Sequence, residues 1–210
     1  MKSNYYNKYK NIIPKHFFEK ENIKILEFGV ETGQTTSLFL EICETNKGSV
    51  FSVDCENYSK LFESPNWTFI NLRDDNFAEI ETIIKNITFD IICLDTIHTK
   101  KHIKKILEFY FKYLKVGGIF IVDGISHLPY IKNNYRDNFY SEINNKEIFD
   151  FLLSLKNNSE NKILLDVSFE DSGVARITKL ENLDLKQKKL ISRIFTLKNF
   201  LRKFYLYFFK

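Results

Sequence analysis

Short apolar runs bounded by turn residues recur along this chain, and stretches with helical spacing separate the early ones. A run of about four to eight apolar residues predicts a buried strand, and apolar residues repeated every three or four positions predict a helix. Seven runs predict strands: Ile23–Phe28, Ser49–Val53, Thr68–Leu72, Asp90–Leu94, Ile119–Val122, Lys162–Phe169 and Val174–Thr178. Three segments predict helices: Thr35–Thr45, Asp75–Lys85 and Lys100–Leu114.

The order of these elements predicts an α/β fold. Strands that alternate with helices form a mostly parallel sheet with helices on both faces. The last two runs are joined by the turn Glu170–Gly173, which is too short for a parallel crossover and predicts an antiparallel pair. We therefore expect a Rossmann-like seven-stranded sheet, mostly parallel, with a C-terminal β-hairpin. The expected units are an N-terminal helical or loop segment over 1–21, a domain over 22–180 and a C-terminal segment over 181–210.

The most informative motif is KILEFGVETGQTT, residues 24–36. It reads as a strand, a glycine loop and a helix, which is how an open α/β sheet builds a nucleotide-type pocket. A loop that holds pyrophosphate uses backbone N–H groups and a helix N-terminus, whereas Glu27 puts a carboxylate before the first glycine. A carboxylate suits a cationic ligand, and S-adenosylmethionine carries an ammonium and a sulfonium group. Glu27, Gly29 and Gly33 are predicted to bind its methionine end, and Thr35 is a further predicted cofactor-binding residue.

Two further acidic positions follow the second and third predicted strands. Asp54 ends the run SVFSVD, where a carboxylate can accept both ribose hydroxyls of an adenosine; a solvated strand-end aspartate is the alternative. Asp74 is assigned to the adenine amino group, with Asp75 as the other candidate or as the N-cap of the next helix. Asp54 alone is compatible with NAD, but Glu27 and Asp54 together favour S-adenosylmethionine.

Another acidic group predicts the reaction centre. Asp95 ends the fourth predicted strand, Asp123 ends the fifth, and His98 lies just beyond Asp95 in the segment LDTIH. Because neighbouring parallel strands lie about 4.8 Å apart, we expect both acids to face one crevice. Asp95 is also one of the predicted cofactor-binding residues. The group can bind a hard divalent cation, or a carboxylate-supported His98 can remove a hydroxyl proton. A surface loop position is the alternative for His98, and His102 is expected to be solvated.

Composition narrows the class of protein. With 210 residues, 44% of them hydrophobic, the chain can bury a sizeable core in one domain. The three cysteines Cys43, Cys55 and Cys93 are odd in number and lack metal-ligand spacing, which is typical of a reducing cytosol. A polar N-terminus and the lack of a long apolar run predict neither a signal peptide nor a spanning helix, so the expected location is the cytoplasm.

Basic charge is concentrated near the C-terminal end of the chain. From Asn182 to Lys210 there are eight basic residues and one acidic residue, whereas the net charge of the whole chain is +4. The preceding part is therefore mildly acidic, which argues against a nucleic-acid face. One helix face carries the apolar residues Leu190, Ile194, Leu197, Leu201, Phe204 and Phe208. Such a basic amphipathic helix predicts peripheral contact with an anionic membrane; docking on its own domain or on a second subunit of a homodimer is the alternative.

Residues 22–180 resemble class I S-adenosylmethionine-dependent methyltransferases. Within that class, LEFGVETGQTT, LDTIH, YLKVGGIFIVDGI and SGVARITK are similar to the macrocin and sugar O-methyltransferase group, in which the middle glycine of the first motif is often absent; here Glu31 occupies it. The resemblance implies that Asp95 and Asp123 are Mg²⁺ ligands and that His98 is a base. The chain departs from catechol-type enzymes after Asp123, where Gly124 replaces an expected Asn ligand.

The activity implied by the resemblance is methyl transfer to a small-molecule hydroxyl, such as that of a sugar or a lipid-linked glycan precursor. The polar, tyrosine-rich segment Ser126–Ser141, with His127 and Tyr130, is expected to form the acceptor wall. Two alternatives stay open. One is a non-catalytic S-adenosylmethionine-binding partner subunit, and the other is an NAD-dependent enzyme on a similar sheet.

Overall fold

The computed structural model describes residues 4–127, 139–183 and 185, together with positions 197, 201, 204, 205, 207 and 208. The helices are α1 Asn4–Ile12, α2 Gln34–Thr45, α3 Phe77–Ile84, α4 Lys100–Tyr110 and α5 Phe139–Asn158, with short 3-10 helices at Lys15–Glu19 and Phe111–Tyr113. The strands are β1 Lys24–Phe28, β2 Ser49–Asp54, β3 Trp67–Asn71, β4 Phe89–Leu94, β5 Leu114–Asp123, β6 Ile163–Ser168 and β7 Val174–Lys179.

The strands form one seven-stranded sheet in the order β3-β2-β1-β4-β5-β7-β6. Strands β1 to β5 run parallel, and β7 is antiparallel to both β5 and β6. This arrangement confirms the expected fold, with the second hairpin strand inserted beside β5. The strand order reverses between β1 and β4, and the carboxyl ends of strands at such a point open a crevice where ligands bind in open α/β sheets.

Two apolar layers cover the sheet, one on each face. Helices α1 and α2 pack over Ile25 and Val50, whereas α3, α4 and α5 pack over the opposite face with Leu26 and Val53. Ile25 and Leu26 belong to different layers because successive strand residues point to opposite faces. Glu27 therefore lies on the α1–α2 face, in a position that would otherwise be apolar.

Two elements differ from the sequence prediction, whereas the N-terminal segment, expected to be helical or loop, contains helix α1. Helix α5 was not predicted, although its buried residues Ile148, Phe151, Leu152 and Leu155 follow helical spacing. Helix α4 ends at Tyr110, and Leu114 already begins β5. The N-terminal segment carries a helix packed on the sheet: the Arg176 guanidinium of β7 donates to the carbonyl oxygen of Ile12 at 2.7 Å.

Most of the predicted C-terminal helix lies outside the described residues. Its described positions are helical and their side chains are exposed: Leu197, Leu201, Phe204, Tyr205, Tyr207 and Phe208. In the part of the chain that the structure describes, no helix has the length and apolarity needed to cross a membrane.

Candidate active site at the carboxyl edge of the sheet

The loop after β1 brings its backbone against the end of β4. Gly29 has a φ of +95°, and a Cβ built there would lie 2.0 Å from the carbonyl oxygen of Asp95. Only glycine allows this approach without displacing the β4 end. Glu31 adopts a φ of 45°, at the position where the motif lacks its middle glycine. The loop therefore adopts left-handed backbone geometry at this position with a side chain that can carry charge.

A cavity of about 420 Å³ lies between this loop and the ends of β2 and β4. The predicted cofactor-binding residues in its lining are Gly29, Thr35, Asp54 and Asp95. His98, the predicted base, lines the same cavity. Gly33 lines a neighbouring cavity of about 390 Å³ together with Tyr6 and Phe62. The structure thus brings most of the predicted donor-side residues together with His98 around one opening.

Asp54 supports the glycine loop while lining the cavity. Its Oδ2 accepts a hydrogen bond from the Val30 amide at 2.8 Å, and its Oδ1 accepts one from the Glu56 amide at 2.9 Å. Each carboxylate oxygen has two lone pairs, so further donors such as ribose hydroxyls can still be accepted. The predicted ribose contact is compatible with this geometry.

Glu27 lies beneath the glycine loop and is fully buried. Its Oε2 accepts hydrogen bonds from the Thr36 hydroxyl at 2.7 Å and the Ser52 hydroxyl at 2.6 Å, whereas Oε1 has no partner among the described residues. Burial raises the pKa of Glu27 from 4.5 to about 7, against the lowering effect of the two hydroxyls. Glu27 is not part of the cavity lining, so its predicted contact with the methionine end stays a prediction.

Asp74 and His102 form a buried pair behind the cavity. His102 Nε2 lies 2.6 Å from Asp74 Oδ2, and the Thr96 hydroxyl donates to the same oxygen at 2.6 Å. The expectation of a solvated His102 was therefore wrong: helix α4 turns this residue towards the sheet, where the Asp74 carboxylate needs a partner. Thr96 lines the cavity and Asp74 does not, so the predicted adenine contact of Asp74 stays a prediction.

Asp95, His98 and Asp123 meet at the tips of β4 and β5, as predicted. His98 Nε2 lies 3.0 Å from Asp95 Oδ1. The His98 side chain is 33% exposed and that of Asp95 is 19% exposed, whereas Asp123 is buried. The partly exposed His98 ring and the largely buried Asp95 carboxylate both line the cavity and can reach a bound substrate, whereas Asp123 lies deeper.

Electrostatics in this cluster favour proton transfer. Burial and the nearby carboxylate of Asp123 raise the pKa of Asp95 to about 6. Burial lowers the pKa of His98, but the hydrogen bond and negative charge of Asp95 raise it, and the net pKa lies above its ordinary value. A raised pKa makes the neutral His98 ring a stronger proton acceptor, which is what a general base requires.

Two further residues of this cluster do not follow from the sequence. The Lys8 ammonium of α1 lies 2.8 Å and 3.1 Å from the two carboxylate oxygens of Asp123. The Tyr9 hydroxyl donates to Asp95 Oδ2 at 3.0 Å, and burial raises the pKa of Tyr9 well above its usual range, which keeps the phenol protonated. The sequence signal for them is the helical spacing of Tyr6, Tyr9 and Ile13, which indicates a buried helix face without naming its partners.

The same acids are the predicted metal ligands. One ligand atom from each of Asp95, His98 and Asp123 lies within 4.8 Å of the others, a spacing that one ion could span. However, the Lys8 ammonium already contacts both oxygens of Asp123. Gly124 supplies no further ligand, and a Cβ there would lie 2.5 Å from His98 Nδ1. The donor set as arranged does not fit a divalent cation, because a cationic side chain already binds one of the two acids.

A family model described as a methyltransferase domain matches residues 26–125, from β1 to just beyond β5. Residues 26–125 therefore resemble a methyltransferase domain. The matched region contains the glycine loop, Asp54 and the Asp95–His98–Asp123 cluster. The match confirms the expected domain family and supports S-adenosylmethionine as the cofactor. No curated protein matches the sequence of this chain.

Three solved structures share this methyltransferase fold. MycE methyltransferase from the mycinamycin biosynthetic pathway, in complex with Mg and SAH, is 14% identical, with a TM-score of 0.57 over 79% of this chain and 47% of MycE. A Staphylococcus aureus protein assigned as a caffeoyl-CoA O-methyltransferase is 18% identical, with a TM-score of 0.60 over 85% of this chain and 84% of that one. The SAH-bound Podospora anserina methyltransferase PaMTH1 is 18% identical, with a TM-score of 0.53 over 74% and 71%. This chain spans about half the length of MycE.

The predicted acceptor wall is described only at its ends. Residues 128–138, with Tyr130, lie outside the described part of the chain. His127 Nδ1 lies 3.1 Å from the carbonyl oxygen of Ile125, and its ring packs against Phe149 and Phe169. The His127 ring thus joins an aromatic cluster with helix α5, and its predicted contact with an acceptor stays a prediction.

Proposed function

We propose that this domain transfers the methyl group of S-adenosylmethionine to a hydroxyl group of a small molecule, such as a sugar or a glycan precursor. The observation that carries the proposal is the shared cavity, in which the glycine loop and Asp54 face the Asp95–His98 pair. A methyl donor bound by the loop would have a candidate base beside it. Because the sulfonium is already a good leaving group, the protein mainly needs to align donor and acceptor and to accept one proton.

The chemistry assigns each group a role. The acceptor oxygen attacks the methyl carbon, the carbon–sulfur bond breaks with its electron pair moving to sulfur, and S-adenosylhomocysteine forms. His98 accepts the hydroxyl proton. His98 Nε2 lies 3.0 Å from Asp95 Oδ1. In the tautomer with the proton on Nε2, this N–H donates to Asp95, and Nδ1, which lies beside Gly124, is the nitrogen that accepts the hydroxyl proton. Asp95 holds the ring in this tautomer and stabilises the positive charge that His98 gains.

The proposed class of acceptor rests on the similarity of this chain to other methyltransferases. MycE belongs by name to the mycinamycin biosynthetic pathway, and the S. aureus protein is named as an O-methyltransferase of caffeoyl-CoA. Both names point to a small organic molecule, which supports a small organic acceptor. A sugar or glycan hydroxyl follows from the resemblance of the first motif, with Glu31 at the middle position.

The test has a binding step and a turnover step. Calorimetry with S-adenosylmethionine should show binding, and radiolabelled donor should label a component of a pool of sugars, nucleotide sugars or phenols. His98→Asn should reduce turnover by about 100-fold or more while leaving donor affinity unchanged. His16→Asn serves as the matched control, because His16 is exposed and lies outside the site.

Each negative result of these two assays leads to a different conclusion. Absence of donor binding would reject the proposal, and binding of NAD in its place would favour the dinucleotide alternative. Donor binding without transfer to any pool would favour a non-catalytic partner subunit. Full turnover in His98→Asn would show that another group accepts the proton.

A further inference from the structure

We propose that the Lys8 ammonium takes the position of a divalent cation at the Asp95–Asp123 cluster, so that the reaction centre works without a metal ion. Lys8 would act as a positioning residue, because it contacts Asp123 and not the reacting atoms. The catalytic half of this inference rests on the proposed function. The half that concerns metal binding rests on the geometry of Lys8 alone.

The first support is that the Lys8 ammonium group is buried and bound by several partners. Lys8 is only 1% exposed, and its Nζ contacts both oxygens of Asp123 and donates to the Ser172 hydroxyl at 2.7 Å. Ser172 also donates to Asp123 Oδ1 at 3.0 Å. A buried ammonium that lost its carboxylate would be left as an uncompensated charge, so this pair resists separation. Lys8 is therefore a fixed part of the cluster, not a surface side chain that happens to reach it.

The second support is the anchoring of helix α1. Tyr6 donates to Glu41 of α2 at 2.6 Å, and the Arg176 guanidinium holds the carbonyl oxygen of Ile12. Between these two contacts, the Lys8 ammonium contacts Asp123, and the hydroxyl of the next residue, Tyr9, donates a hydrogen bond to Asp95. The helix thus delivers one positive charge and one hydrogen-bond donor to the two carboxylates, the two kinds of interaction that a hydrated metal ion would supply.

The third support is the charge around the cluster. A divalent ion that bridged Asp95 and Asp123 would lie within a few ångströms of the Lys8 ammonium, and like charges at that separation repel strongly in a buried site. At position 124, glycine offers no side-chain ligand, and the His98 ring fills the space. This position therefore adds no metal ligand, while the Lys8 ammonium competes with a metal ion for Asp123.

Binding of Mn²⁺ to chelator-treated protein, measured by electron paramagnetic resonance, tests the geometry without any substrate. Wild type and the exposed control Lys10→Met should show no saturable binding up to millimolar Mn²⁺. Lys8→Met leaves the two acids without their cation and should bind Mn²⁺ about tenfold more tightly or better than wild type. The additional change Asp95→Asn should abolish that binding. Saturable Mn²⁺ binding by wild type that Asp95→Asn removes would overturn the inference, and so would a folded Lys8→Met that binds no Mn²⁺.

If Lys8→Met fails to fold by circular dichroism, the wild-type measurement decides. Site-specific Mn²⁺ binding by wild type, lost in Asp95→Asn, rejects the inference, and its absence supports it. Once an acceptor is known, wild-type turnover should resist chelators, and kcat of Lys8→Met should fall and recover with Mg²⁺ or Mn²⁺. A merely structural lysine would give no such rescue. Failure to bind S-adenosylmethionine would remove the proposed function while leaving the Mn²⁺ result readable.

Discussion

Glu27 should make the stability of this protein fall as the pH rises from acid towards neutrality. Its carboxyl group is fully buried, and burial raises its pKa from 4.5 to about 7. A carboxyl group with a higher pKa in the folded protein than in the unfolded chain holds its proton more tightly when folded. Its stabilising contribution is therefore complete below a pH of 4.5 and is lost as the pH rises through about 7.

The size of the effect follows from the same two values. At about 1.4 kcal/mol for each pKa unit, the gap between 4.5 and about 7 corresponds to about 3 kcal/mol of unfolding free energy. That is a large share of the roughly 5–15 kcal/mol that stabilises a typical domain. The substitution Glu27→Gln keeps the shape of the side chain and removes the titration, so it should remove this part of the pH dependence.

Urea unfolding followed by circular dichroism, repeated at several pH values, measures the effect. The free energy of unfolding of Glu27→Gln, relative to wild type, should rise by up to about 3 kcal/mol between acid and neutral pH. Asp95 and His98 titrate in both proteins, so their contributions cancel in the difference. Glu19→Gln, at an exposed position, should follow wild type throughout. A constant difference between Glu27→Gln and wild type at all pH values would refute the reasoning.

Three further outcomes are expected. Gly29→Ala should lower the free energy of unfolding by more than about 3 kcal/mol, because the added Cβ would meet the Asp95 carbonyl oxygen. Gly117→Ala, at a φ of +82° with open space around it, should lower it by only about 1–2 kcal/mol. Urea unfolding measures both values, and equal losses would contradict this reasoning. His102→Ala should lower the free energy of unfolding by about 1–3 kcal/mol, because Asp74 loses a buried hydrogen-bond partner. Lys101→Ala, at an exposed position of the same helix, should leave the free energy of unfolding almost unchanged. An unchanged unfolding midpoint for His102→Ala would show that the Asp74–His102 pair does not contribute to stability. Deletion of residues 186–210 should release the protein from anionic vesicles in a sedimentation assay, and retained binding would exclude a membrane role for this segment.

The strands of the sheet and the acidic residues at their ends could be predicted, because both depend on short stretches of sequence. Short apolar runs mark buried strands, so all seven strands were expected, and the acidic residues that end two of those runs identify Asp95 and Asp123 from the sequence alone. Helix α5 was not predicted because the polar start of its segment obscures the regular spacing of Ile148 and Leu152 further along. His102 shows the same limit: its position one turn before Ile106 places it on the buried face of α4, but only the whole helix pattern reveals that.

The long-range pairs could not be predicted in the same way. Lys8 and Asp123 are 115 residues apart, and a single sequence does not tell which buried charge meets which partner. The same holds for Glu27, whose partners Thr36 and Ser52 come from the following helix and the neighbouring strand. Sequence therefore identified the acids of the candidate site, and the structure supplied the groups that neutralise and orient them.

The contacts of Lys8 also bear on the order in which the protein is assembled during synthesis. Helix α1 leaves the ribosome before the strands it packs against, and Lys8 lies 164 residues from Ser172, which accepts a hydrogen bond from the Lys8 ammonium. Contacts of such separation close late, because the loop between them must first be ordered. The glycine loop and Asp54 can form from the first quarter of the chain, but the acid cluster has to wait for the turn before β7. A nascent or truncated chain would therefore contain the glycine loop and Asp54 without a finished acid cluster, so incomplete copies would lack the proposed methyl-transfer activity.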